Sequence, residues 1–164
     1  MEELIKFDFK KMEKSFKKIK KMRSDIIEKT INIEGYLDEI LIQTFSVEND
    51  IFFRIDFLYG ESPISLKKKI ETIGKINNKK YKKLSDKLKR LETIRNHFSH
   101  SPTATFEIPM LISKAIKPVN AETEFKEFNT IYSECLFSLG QIIKELKRIE
   151  SPKRLSNALS LDKL

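Results

Sequence analysis

The chain has 164 residues, 40% hydrophobic and 34% charged, with a net charge of +8, a size that fits one domain able to bury a core. The charge suits a polyanionic partner, although only six of the 32 basic residues are Arg, and solvated lysines on helix faces account for much of the excess. A lone cysteine, Cys135, excludes an internal disulfide and points to a reducing cytoplasm; the acidic start MEELIKFDFK is not read as a secretory signal, and no stretch approaches the ~18–20 apolar residues of a membrane span.

With only 4 Gly and 5 Pro, and apolar residues at three- and four-residue steps, the pattern predicts an all-α bundle of about five helices. Ile5, Phe9, Met12, Phe16 and Ile19 predict an amphipathic helix over 2–22, its other face carrying Lys10, Lys11, Lys14, Lys17, Lys18, Lys20 and Lys21. Ser24 or Asp25 is placed to cap a second helix reaching Phe45, with Ile26, Ile27, Ile33, Leu37, Ile40, Leu41 and Phe45 inward. The apolar run 48–58 (ENDIFFRIDFL) reads as a short buried helix, 60–63 as a turn, and Ser65 as the start of a helix that stops near Asn77-Asn78.

The next helix is predicted from about Lys79 to Ser99, with Pro102 barring ordinary continuation. Its stripe is Tyr81, Leu84, Leu88, Leu91, Arg95 and Phe98. Residues 103–119 lack helical periodicity and read as a small loop or hairpin insertion. A long helix over about 122–150 follows, with Phe125, Phe128, Tyr132, Cys135, Leu139, Ile142, Leu146 and Ile149 at heptad spacing. Ser151-Pro152 is expected to end it. The chain is thus read as a single domain over 1–152 and a short mobile tail at 153–164.

The chemistry gathers at Arg95-Asn96-His97-Phe98-Ser99-His100, which holds both histidines of the chain. Arg95 stands where Leu or Ile would continue the stripe, and burying a guanidinium without an anion costs several kcal/mol. It is therefore expected to meet a carboxylate such as Glu92 or Asp56, helix-end carbonyls, or an open cleft. Asn96 and His100 are four apart and share a face; Arg95 and His100 are five apart, about 140° around a regular helix. Convergence needs a helix break, the reach of the arginine, or a second subunit. Arginine with histidine suits RNA cleavage by 2′-hydroxyl attack: histidine moves the proton and arginine holds the phosphate oxygens. His97 and His100 form an HxxH pair without an evident third ligand, so no metal or other cofactor is expected.

LETIRNHFSH resembles the Arg-Asn-x-x-x-His motif of HEPN domains (higher eukaryotes and prokaryotes nucleotide-binding), with Arg95, Asn96 and His100 on the matching positions and Ser99 as the small residue before the histidine. The upstream run FFRIDFLYGESPISLKKKIETI is similar to the segment preceding this motif in HEPN-like and mannitol-operon-repressor-like proteins. The resemblance implies an all-α homodimer with a composite cleft and, in many members, metal-independent endoribonuclease activity in toxin–antitoxin, abortive-infection or CRISPR defence. An antitoxin or nucleotidyltransferase partner would fit that setting. Arg95, Asn96 and His100 are then the expected catalytic residues. Lys79, Lys80, Lys82, Lys83, Lys87, Arg90 and His97 are expected to contact RNA. The alternative is a non-catalytic regulator or interaction module of the same bundle type.

Overall fold

The computed structural model describes residues 9–45, 64–76, 78–100, 103–105, 109–112 and 118–161, with side chains at 10, 13–45, 64–76, 81–99 and 120–148. These form α1 (Phe9–Phe45), α2 (Leu66–Ile76), α3 (Asn78–His100), β1 (Thr103–Thr105), β2 (Pro109–Ile112), β3 (Pro118–Asn120) and α4 (Ala121–Leu161). The protein is an all-α bundle carrying a small antiparallel meander between α3 and α4, ordered β1-β2-β3.

The described helices differ from the periodicity in two places. The two N-terminal helices are one continuous α1. Ser24 does not cap anything: its Oγ donates to the carbonyl of Lys20 at 3.2 Å, and Asp25 accepts from Lys29 one turn on at 2.7 Å. Both polar side chains are satisfied inside a running helix, so neither stops it. At the other end, α4 passes through Pro152 to Leu161, where a tail was expected. A proline deletes one backbone donor and crowds one carbonyl, which can bend a helix whose flanking turns keep their own bonds. The short helix expected over 48–58 and the turn at 60–63 lie outside the described residues.

Other boundaries follow their caps. Ser65 opens α2, its Oγ accepting from Lys68 N–H at 3.3 Å and its carbonyl from Lys69 N–H at 3.0 Å. Asn120 opens α4 by accepting the Thr123 N–H at 3.0 Å, and Glu122 and Glu124 stand in that first turn, where the helix dipole favours anions. The expected loop or hairpin is three short strands, paired Thr103↔Leu111 and Met110↔Asn120. Pro109 and Pro118 each begin a strand, where a missing N–H is tolerated.

α1 and α4 run side by side in the same direction, joined in step by Lys18 to Glu122, Lys29 to Asn129, Asn32 to Tyr132 and Glu39 to Lys147. α3 runs against α4, so that Lys87 meets Glu134, Arg90 meets Glu127 and His97 meets Glu124. The core between them includes Ile26, Ile33, Leu37, Leu88, Leu91, Ile94, Phe98, Phe128, Cys135 and Leu139. Phe98 is fully buried, as the stripe predicted, and so is Cys135, whose thiol burial pushes up to about 12. Three residues expected inward are exposed: Phe16, Ile27 and Phe45. Ile26 takes the core position, so Ile27 lies about 100° away from it. α4 begins level with Lys18, so Phe16 projects past its packing partner. Phe45 is the last residue of α1.

One ion pair is buried in this core. Lys69 Nζ of α2 lies 2.7 Å from Asp38 Oδ1 of α1, with the two side chains 5% and 6% exposed. No described helix is long and apolar enough to cross a membrane.

Candidate active site at the end of α3

α3 carries the motif on its last two turns, and the meander that follows returns the chain so that the first turn of α4 lies beside it. β2 packs against both helices and β1 against α1. The connection from residue 101 to Asn120 therefore sets which α4 residues face the motif.

Arg95 is half-buried. Its Nη1 donates to Oδ1 of Asn96 at 3.0 Å, and among the described residues no carboxylate pairs with it, Glu92 included. Asp56, the other acid considered, lies outside the described residues. The Asn96 bond matters for geometry. On a regular helix at about 100° per residue, Asn96 and His100 are only about 40° apart. By reaching to Asn96, the guanidinium is drawn around the helix toward the face on which His100 has its register position. The 140° separation of Arg95 and His100 is thus narrowed by the arm of the arginine within one chain. The His100 side chain lies outside the described residues, so Asn96 is placed here by its bond to Arg95 alone.

His97 was expected at the RNA surface. Its side chain is 21% exposed, and its Nδ1 is 2.9 Å from both carboxylate oxygens of Glu124. Glu124 is 4% exposed. The same carboxylate receives Arg90 Nη2 at 3.4 Å, while Arg90 grips Glu127 with two bonds, Nε to Oε1 at 2.7 Å and Nη2 to Oε2 at 2.6 Å. The bidentate pair holds the Glu127 carboxyl below its usual range and the guanidinium above its own, the hydrogen bonds being the larger cause in each. Glu124 and Glu127 are one helical turn apart on α4, and Arg90 and His97 two turns apart on α3, so the four groups form one ladder across the helix pair. Sequence reasoning missed both glutamates because 27 to 37 residues separate the partners. Their place in the first turns of a helix that begins just after the insertion was the only signal.

The lysines divide. Lys87 is paired with Glu134 at 2.7 Å, and its ammonium is held above its usual range chiefly by that bond. Lys87 and Arg90 thus carry their charge beside glutamates of α4. Lys82 and Lys83 are exposed. Lys82 lines a shallow groove between α2 and α3 with Lys75, Lys89, Glu71 and Asp86. Lys82, Lys89 and Asn96 are successive sevens along α3 and share one line on its surface. Lys79 and Lys80 stand in the first turn of α3, with side chains outside the described residues. Tyr81 packs partly buried against the core. In comparisons with known proteins, no family model, no curated protein and no solved structure matches this chain.

Proposed function

We propose that the protein is a metal-independent endoribonuclease of HEPN type, in which Arg95 and His100 act on the phosphodiester and Asn96 positions the guanidinium. One observation carries the reading. Of the two arginines of α3, Arg90 is neutralised by glutamates, whereas Arg95 is held by a neutral amide and keeps its charge uncompensated by any described carboxylate. A half-buried guanidinium in that state is a preorganised anion site at the end of a helix. The all-α bundle and the Arg-Asn-x-x-x-His spacing support the same reading.

In the reaction, His100 withdraws the proton of a ribose 2′-hydroxyl, the 2′-oxygen attacks the adjacent phosphorus, and Arg95 stabilises the charge that builds on the phosphoryl oxygens. The products are a 2′,3′-cyclic phosphate and a free 5′-hydroxyl. A homodimer that joins two motifs in one cleft, and a role in defence or toxin–antitoxin control, belong to the same proposal. Incubation of single-stranded RNA in EDTA tests it: wild type is expected to leave cyclic-phosphate ends detectable by mass spectrometry. Arg95→Ala and His100→Ala should each be slower by about 100-fold or more. RNA decay at the same rate in all three preparations would expose a contaminant and reject the assignment. Sedimentation that finds wild type monomeric at micromolar concentration would reject the shared cleft.

A further inference from the structure

The described site leaves one proton without a carrier. Cleavage by 2′-hydroxyl attack needs a group that takes the 2′ proton and a group that gives a proton to the departing 5′-oxygen. His100 serves the first need, and within one chain the three residues Arg95, Asn96 and His100 supply no second histidine for the other. His97 has the chemistry and the setting for it. Both oxygens of the buried Glu124 lie 2.9 Å from its Nδ1, so that nitrogen is committed to a hydrogen bond as an N–H donor. This fixes the tautomer and the ring plane, and it makes Nε2 the nitrogen that exchanges protons, as a carboxylate does for histidine in hydrolytic triads. The carboxylate is itself held: it is 4% exposed, sits in the first turn of α4, and takes Arg90 on one oxygen.

The register supports convergence. Taking Asn96 as zero on a regular helix, His100 lies at about 40° and His97 at about 100°. The register position of His100 therefore falls between those of Asn96 and His97. His97 and His100 are also three apart, the spacing at which helical side chains are neighbours.

We infer that His97 is the proton donor to the leaving group, with Glu124 as its positioning residue. The inference rests on the endoribonuclease reading. In the step, the 2′-O–H proton passes to His100, the 2′-O–P bond forms, and the P–O5′ bond breaks with its electron pair on O5′. The Nε2 proton of the His97 imidazolium moves to O5′. His97 ends neutral and His100 protonated, and exchange with water restores both.

The test compares two substrates in EDTA: uridylyl-(3′→5′)-adenosine, whose leaving 5′-alkoxide needs a proton, and uridine 3′-(4-nitrophenyl phosphate), whose phenolate leaves without one. His97→Asn keeps an N–H donor toward Glu124 but cannot transfer a proton. It is expected to lose about 100-fold or more on the dinucleotide and stay within about threefold of wild type on the nitrophenyl ester. His100→Ala should lose both activities. Glu124→Gln should show the same split more weakly, about tenfold on the dinucleotide, and keeps the test decisive if the asparagine variant does not fold. Equal losses on both substrates in both variants, or no loss on either, would overturn the donor role while leaving the nuclease reading intact. A wild type that cleaves neither substrate would overturn both.

Discussion

At the scale of single residues, the charged groups inside the bundle carry the sharpest consequences. Asp38 and Lys69 are an ion pair in the core, and neither residue stood out from its sequence context, because charge on a helix reads as a solvated face until a second helix covers it. Removing one partner takes the ion pair away from the other charge while it stays in the core. Asp38→Leu or Lys69→Met alone should therefore destabilise the protein by ~3–5 kcal/mol, and the double variant should recover most of that loss, as read from urea unfolding. Cys135 was expected in the core, and its thiol is pushed up to about 12 there. An unfolded thiol titrates near ~8.5, so above that pH the unfolded state releases a proton that the native state retains. The contribution of Cys135 to stability is thus constant below pH ~8.5 and falls as pH rises toward 12. The difference in unfolding free energy between wild type and Cys135→Ala should shrink steadily over that window.

At the scale of elements, close approach separates one glycine from another. A Cβ at Gly74 of α2 would lie 2.9 Å from Ser85 Oγ and 3.3 Å from its Cβ, on the buried side of α3. A Cβ at Gly35 of α1 would meet nothing within 4 Å. Alanine in a helix is favoured over glycine by about 1 kcal/mol. Gly35→Ala should accordingly raise the melting temperature, whereas Gly74→Ala should lower it by forcing α2 and α3 apart. Ser85→Ala in the Gly74→Ala background should restore part of the loss. Helix spans were largely legible from apolar spacing and from Ser65. Helix ends were less so, because Ser24 is a stop signal only when the chain has no packed surface to follow. α1 lies along α4, and side-by-side burial outweighs a cap residue in mid-helix.

At the scale of the whole molecule, a net charge of +8 favours a polyanion without saying where one would lie. The ion pairs narrow the choice. Lys82 and Lys89 stand on the line of α3 that leads to Asn96, whereas Lys87 and Arg90 are matched to glutamates of α4. If RNA is the substrate, neutralising Lys82 and Lys89 to Gln should weaken RNA binding and lower the slope of log affinity against log salt by about 1.4, near 0.7 per phosphate for single strands. Lys87→Gln should leave the slope unchanged. Fluorescence anisotropy from 50 to 300 mM salt, about the range over which such contacts are screened, measures both. Within the motif, Arg95 and Asn96 were visible because each breaks a local pattern: a charge on an apolar stripe, and an amide one position on.

The amino-acid sequence determined the all-α class, the helical placement of the Arg95-to-His100 motif, the burial of Phe98 and Cys135, and the insertion between α3 and α4, since all of these are written in periodicity and in residues near one another. The tertiary structure decided what the motif faces. Glu124 and Glu127 reach His97 and Arg90 only because the meander returns α4 antiparallel to α3, and Arg95 is left to Asn96 because no described acid was brought to it. Local spacing sets a side chain's direction. The carboxylate that meets it comes from another helix, and that depends on how the two pack.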